Sequence, residues 1–127
     1  MKQIISTDDA PAAIGAYSQA TTDGSLILTS GQLPLTREGE LLDDASIEDQ
    51  TKQCLDNIQA ILQAEGASMS SVLKTTVFLD NINTFEEFNQ SYSDYFDENP
   101  PARSAIEVGE VPKGAALEIE AIAVAEQ

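Results

Sequence analysis

Histidine is absent from this 127-residue sequence. Without an imidazole the chain cannot build a Ser-His-Asp or Cys-His triad or a histidine metal site. Any catalysis would therefore use carboxylates, tyrosine, lysine, backbone groups or bound water. Carboxylate-only magnesium or calcium sites remain compatible with the composition, but no D-x-D-x-D-G loop, Gly-rich phosphate loop or G-x-G-x-x-G motif occurs. The sequence predicts neither a cofactor nor a metal centre.

Cysteine and long apolar runs are also scarce. The single cysteine, Cys54, permits no internal disulfide, and its place on the apolar side of a helical pattern predicts a small buried side chain rather than a nucleophile. No apolar run approaches the ~18 residues of a membrane span, and Asp8 and Asp9 lie close behind Met1, where a signal peptide would be apolar. We expect a cytoplasmic protein without a membrane partner.

Positive charge is the third scarcity. Only 6 residues are Lys or Arg against 22 Asp or Glu, so the formal net charge is -16. A surface of this sign repels a phosphate backbone, and nucleic acid is therefore not an expected partner. Proteins from salt-loaded cytoplasms have such an excess of carboxylates, but an ordinary acidic protein from a low-salt cell would show it too. The composition leaves both origins open.

The residues that are present predict one folded domain over residues 1–127, because 42% of them are hydrophobic and several segments are periodic. Apolar residues at helical spacing predict a first helix that follows Ser46, an N-cap candidate with Asp49, and stops at Gly66. The β-branched residues 72–79 predict a strand. A β-rich run over residues 26–30 brings Ser30 and Gly31 to a strand tip, where the backbone can approach a ligand; an ordinary turn is the alternative.

A second helix is predicted from the capping-box pattern of Thr84 and Glu87. Its aromatic residues fall on one face, which we interpret as core rather than as a cofactor site. They are Phe85, Phe88, Tyr92, Tyr95 and Phe96.

Arg103 stands inside a strand-like stretch, residues 101–108, that a second one follows at residues 117–124. Burying a guanidinium is costly unless it is paired. Arg103 therefore either binds an anionic ligand or forms an internal ion pair with Glu118 or Glu120, and spacing alone leaves both possibilities open.

Alternation along these two strands predicts a sheet in an α+β domain, with its two faces covered differently. Two helices can cover one face, and the alternation places Arg103, Glu118, Ile122 and Val124 on the other. Since no further element remains to cover this second face, the expected partner is another subunit.

Four segments then follow one another in a familiar order. They are residues 10–19 (APAAIGAYSQ), 29–32 (TSGQ), 101–104 (PARS) and 118–120 (EIE). Together they resemble the Rid family of enamine/imine deaminases, also called the YjgF family, and the similarity runs from the N-terminus to Val124.

The resemblance implies a chorismate-mutase-like fold, a mixed β-sheet with two helices on one face. It also implies a homotrimer with ligand sites in the clefts between subunits. The implied activity is hydrolysis of reactive 2-imino or enamine acids, such as 2-iminobutanoate and 2-iminopropanoate, to 2-keto acids and ammonia without a cofactor. A trimeric module of the same shape that senses 2-keto acids without turnover is the alternative. An RNA-cleaving protein is disfavoured by the charge.

The same resemblance assigns roles to individual residues. Arg103 would bind the substrate carboxylate, and Glu118 would hold the attacking water, although Glu120 points to the same face by alternation and stays an alternative. Ala105 stands where deaminating relatives often have cysteine, which affects pocket volume and substrate range. The other residues implied to line the cleft are Tyr17, Ser30, Gly31 and Asn89.

We expect stability and assembly to rise with salt over the molar range. Twenty-two acidic side chains against 6 basic ones repel one another, and the Debye length falls to ~3 Å at 1 M. The melting temperature, followed from dilute buffer to multimolar potassium chloride, measures this. A melting temperature independent of salt would remove the high-salt interpretation.

Overall fold

The computed structural model describes residues 1–96 and 98–125. Within these ranges the chain forms six strands and two α-helices, linked in places by short 3₁₀ turns. In chain order they are β1 (Gln3–Ile5), β2 (Ala20–Thr22), β3 (Leu26–Thr29), α1 (Ile47–Ala64), β4 (Val72–Leu79), α2 (Phe85–Tyr95), β5 (Ala102–Glu107) and β6 (Leu117–Val124).

The strands form one sheet in the order β1-β2-β3-β6-β4-β5. All neighbouring pairs are antiparallel except β4 and β5, which are parallel. A parallel pair needs a crossover connection, and α2 supplies it. The predicted α+β class, with a mixed sheet and two helices on one face, is confirmed.

The core lies between the helices and one sheet face. The side chains that α1 contributes are fully buried, namely Cys54, Leu55, Ile58, Ile61 and Leu62. They form one cluster with Val77, Leu79, Leu117 and Ile119 of the central strands. Cys54 is buried, as predicted, and burial raises the pKa of its thiol well above the ordinary value.

The opposite sheet face is open and exposes several apolar side chains. Leu26 pairs with Val124, and Phe78 pairs with Ile106. Leu26, Val124 and Ile106 are 38%, 41% and 47% exposed. We call this surface the open face, and it also contains Leu28 and Ile122. Exposed apolar side chains grouped in this way are typical of an interaction surface.

The prediction that Arg103 shares this face with Glu118 is wrong. Arg103 pairs with Thr75, whose buried hydroxyl hydrogen-bonds the Tyr92 hydroxyl of α2, so Arg103 lies on the helix side. Glu118 pairs with Phe78 on the open face. The alternation could not fix this phase because β5 is an edge strand with no fully buried residue; its pairing with β4 decides which side chains turn inward.

The helix starts were predicted with mixed success. Ser46 caps α1 by accepting from the Asp49 N–H at 3.1 Å, as predicted. The Thr84 capping box is wrong, because the Thr84 side chain makes no cap hydrogen bond and donates to the Asn81 carbonyl instead. A 3₁₀ turn precedes α2, and Asn81 caps that turn by accepting from the Asn83 N–H.

Strands β1 and β2 were not predicted, since three residues each give too little alternation to detect. In the described part of the chain, neither helix has the length and apolar character needed to cross a bilayer.

We expect Ser46→Ala to lower the free energy of unfolding by about 1 kcal/mol, because it removes the acceptor for an otherwise unpaired helix N–H. Thr84→Ala should cost less, since its exposed donor leaves only a carbonyl that water can reach. Urea unfolding of the two variants makes the comparison. An equal or larger loss for Thr84→Ala would contradict the cap assignment.

Candidate functional site

Arg103 rests on the aromatic side of α2. Its guanidinium carbon lies 5.2, 5.7 and 4.8 Å from the ring centroids of Phe85, Phe88 and Tyr92. Its Nη1 donates to the Asn89 Oδ1 at 2.8 Å. Phe88, Asn89 and Tyr92 follow Phe85 by three, four and seven positions on α2, which places all four on one side of the helix. Cation–π attraction and one amide thus hold the guanidinium plane in place.

Arg103 has no carboxylate partner among the described residues, where the ion pairs within 4 Å both involve Arg37. The internal pair with Glu118 or Glu120 is therefore not formed. The guanidinium instead lines a cleft of ≈ 340 Å³ with Asn89 and Pro101. Its fork of donors suits a planar carboxylate.

Glu118 lies in a second cleft, where β6 passes the end of β3. Two backbone hydrogen bonds join Gln32 and Ile119, of 2.7 and 3.1 Å, and they press Gly31 against Glu118. A Cβ built on Gly31 would lie 2.7 Å from the carboxyl carbon of Glu118. Any side chain at position 31 would displace the Glu118 carboxyl group, so glycine lets the backbone approach this carboxylate in its present position.

The same cleft is lined by Tyr17, Ser30 and Glu120. Ser30 ties its walls together, because its N–H donates to the Gln19 carbonyl and its hydroxyl donates to the Ser18 carbonyl. The segment that presents Tyr17 is thus fixed to the end of β3.

Burial raises the pKa of the Glu118 carboxyl above its ordinary value, and the neighbouring Glu120 raises it further. Both carboxylates lie on the open face, since Glu118 pairs with Phe78 and Glu120 with Thr76. Glu118 is the one that Gly31 contacts, which favours it as the group that orients a water. A carboxylate with a raised pKa is a better proton acceptor.

One chain gathers the predicted site residues into two separate groups, plus one residue that joins neither. We call the first the carboxylate half, and it contains Tyr17, Ser30, Gly31 and Glu118. The second, the arginine half, contains Asn89 and Arg103. Ala105 pairs with Val77 and packs against the core.

The aromatic platform beneath Arg103 is the feature that the sequence interpretation missed. The stripe was predicted as core, and Phe88, Tyr92 and Phe96 are indeed buried. Its second role was detectable, because aromatic residues at helical spacing precede the arginine strand directly. Lys113, which also lines the carboxylate half, was missed too; its left-handed backbone, with φ 62°, gives no signal in the sequence.

Known proteins have similar sequences and folds. The model of the family described as endoribonuclease L-PSP matches residues 7–125. A RutC family protein of Pyrococcus horikoshii is 46% identical over 127 residues, covering 99% of this chain and 100% of its own. The Escherichia coli K12 protein named "Putative reactive intermediate deaminase TdcF" is 44% identical over 128 residues, with 98% of each chain covered.

The crystal structure of E. coli TdcF with bound serine superposes with a TM-score of 0.92 at 41% identity, covering 98% of this chain and 99% of that one. The expected family resemblance is therefore confirmed. The relative's name supports a deaminase activity at the general level.

We expect the Glu118 carboxyl to titrate above the ordinary glutamate range, because burial and Glu120 both oppose its ionisation. Glu120→Gln should lower the Glu118 pKa only in part, since the effect of burial remains. Carbon-13 NMR titration of the side-chain carboxyls measures the Glu118 pKa in the unchanged protein and in Glu120→Gln. A Glu118 pKa that does not move in Glu120→Gln would contradict the coupling.

Proposed function

This chain belongs to the endoribonuclease L-PSP family, also called the Rid or YjgF family, and we propose that it hydrolyses 2-imino acids such as 2-iminobutanoate and 2-iminopropanoate to 2-keto acids and ammonia. The observation that supports this most is a half-buried arginine held on aromatic rings, facing a cleft, with no carboxylate partner in the described chain. Such a group is prepared for a small carboxylate ligand.

In the proposed mechanism, Arg103 binds the substrate carboxylate through two parallel N–H donors. Asn89 and the α2 rings keep the guanidinium plane oriented. Glu118 accepts a proton from a water whose oxygen bonds to the imine carbon, which gives a carbinolamine. Glu118 then returns that proton to the nitrogen. As the C–N bond breaks, the oxygen forms its second bond to the carbon and gives its remaining proton to the departing ammonia, so the products are the 2-keto acid and ammonium. A protonated imine is already electrophilic, so a positioned water suffices and histidine is not needed.

The proposed site requires two copies of the chain. The arginine half and the carboxylate half lie on opposite faces of the sheet, because Arg103 pairs with Thr75 and Glu118 with Phe78. The open face also leaves Leu28 47% exposed. We propose that copies pack through this face as a homotrimer, with each cleft taking its arginine half from one subunit and its carboxylate half from the next. The number three rests on the family resemblance.

A binding module without turnover is the second candidate. The E. coli TdcF structure contains bound serine, itself a small carboxylate, and a 2-keto acid on Arg103 would use the same fork. RNA cleavage, which the family description mentions, is disfavoured by the net charge of -16. Steady-state imine hydrolysis separates the enzyme from the binding module.

We expect Arg103→Lys and Glu118→Gln to fail differently. The first loses the bidentate contact, which is worth ~1.5–3 kcal/mol, or roughly one to two decades in KM. The second loses the proton acceptor, which should lower kcat by a factor on the order of 10²–10⁴. Assays with 2-iminobutanoate, alongside thermal unfolding, measure both effects. Wild-type turnover in both variants would contradict these roles. If Arg103→Lys lowers the melting temperature but leaves kcat and KM unchanged, Arg103 has a structural role.

Refolding the two variants together tests whether the cleft is shared between subunits. Random mixing should place both native halves in about a quarter of the clefts, and kcat/KM should recover in proportion. Glu118→Gln refolded alone is the control. No recovery would mean that both residues act within one chain, and a monomer mass by light scattering at high salt would overturn the assembly itself.

A further inference from the structure

A second groove adjoins the carboxylate half. Tyr17, Leu33 and Lys113 line both cavities, so the two lie side by side. Beyond these shared residues the groove is lined by Pro11, Ile14 and Leu35. We call it the Leu35 groove, and its volume is ≈ 270 Å³.

One wall of the Leu35 groove is fixed by a buried glutamine. Gln19 is 4% exposed, and its Nε2 donates to the Pro11 carbonyl at 2.8 Å and the Thr7 carbonyl at 3.1 Å. Its Oε1 accepts from the Thr7 N–H at 2.7 Å. The segment around Pro11 therefore cannot move without breaking buried hydrogen bonds.

The other wall is fixed in the same way by α1. Asn57 is 1% exposed, and its Nδ2 donates to the carbonyls of Leu33 and Leu35 at 3.2 and 2.9 Å. Gln53 donates to the Asn57 Oδ1 at 2.9 Å. A buried amide is stable only with such partners, so both walls are ordered before a ligand arrives. This distinguishes the groove from an incidental gap between loops.

We propose that the Leu35 groove receives the aliphatic side chain of the substrate, so that the preferred 2-imino acids have chains longer than methyl or ethyl; this inference rests on the proposed function. A substrate whose imine carbon faces Glu118 must direct its side chain out of the cleft. Ser30, Gly31 and Glu120 make the wall beside Glu118 polar. On the side toward the Leu35 groove, the lining that the two cavities share contains Tyr17 and Leu33.

Charge at the outer rim favours an uncharged occupant. Arg37 pairs there with Asp9 and Glu38 at 3.4 and 3.3 Å, so its charge is already balanced. Lys113 is the remaining cation in the lining. The lining is mainly apolar, with Ile14, Leu33 and Leu35, and Lys113 is the one cation of the lining that could receive a second carboxylate, so an aliphatic chain fits it better than a dicarboxylic substrate.

The first test is a chain-length series. The imino acids of alanine, 2-aminobutyrate, norvaline and norleucine are generated in situ by an amino-acid oxidase, and kcat/KM is compared. We expect a rise of about fourfold for each methylene that enters the groove. The imino acid of glutamate should react more slowly than that of norvaline. A flat series, or a preference for the glutamate derivative, would overturn the proposal.

The second test changes the groove itself. Ile14 is 86% exposed, so Ile14→Asp should fold normally while placing a carboxylate beside the aliphatic chain. The ratio of kcat/KM for norleucine and alanine imino acids should fall roughly tenfold. Ile82→Asp makes the same change at an isoleucine that is 43% exposed on the turn before α2, and it should keep the wild-type ratio. Equal ratios in both variants would contradict the proposal.

A binding readout separates this inference from the proposed activity. The 2-keto acids of the same chain lengths are titrated while the Ile14 methyl resonances are followed by NMR. Tighter binding and larger Ile14 shifts with longer chains support the groove even if no imine is hydrolysed, in which case only the activity fails. Hydrolysis without chain-length dependence would contradict the groove proposal and leave the proposed activity standing. Absence of both binding and hydrolysis overturns both.

Discussion

The stacking of Arg103 on the aromatic side of α2 is the interaction on which the candidate site depends. In a chain with 22 acidic residues and 6 basic ones, an arginine beside a carboxylate would pair with it. Rings at 4.8–5.7 Å hold the charge without neutralising it, and Asn89 fixes its orientation with a neutral oxygen. The guanidinium is thus kept in place and left able to bind a carboxylate.

The sheet imposes the second constraint, because it separates the arginine from the carboxylate. Side chains on neighbouring strands reach one another only when they share a face, and Arg103 and Glu118 do not. Gly31 approaches Glu118 on the open face, where Leu26 and Val124 are also exposed. The proposed assembly would therefore cover apolar surface and complete the site by one and the same contact.

Sequence patterns were reliable where one signal dominated. The buried stripe of α1, its Ser46 cap and the buried strand β4 all follow from periodicity and capping chemistry. Patterns failed where two signals competed. Thr84 and Glu87 resemble a capping box, but the chain enters α2 through a 3₁₀ turn that Asn81 caps. The three-residue strands β1 and β2 exist only through their pairing with β3 and with each other.

The sequence by itself determined the family, the α+β class and which residues are candidates for chemistry, because motif order and hydrophobic period are local properties of the chain. Only the tertiary structure decided which candidates meet. Strand β5 has no fully buried side chain from which to read its phase, so its pairing with β4 alone turned Arg103 toward α2 and away from Glu118. Long-range pairing likewise brought Gly31 to Glu118 and the Leu33–Leu35 segment to Asn57, since residues distant in sequence become neighbours only when the backbone hydrogen-bond ladder and the core place them together.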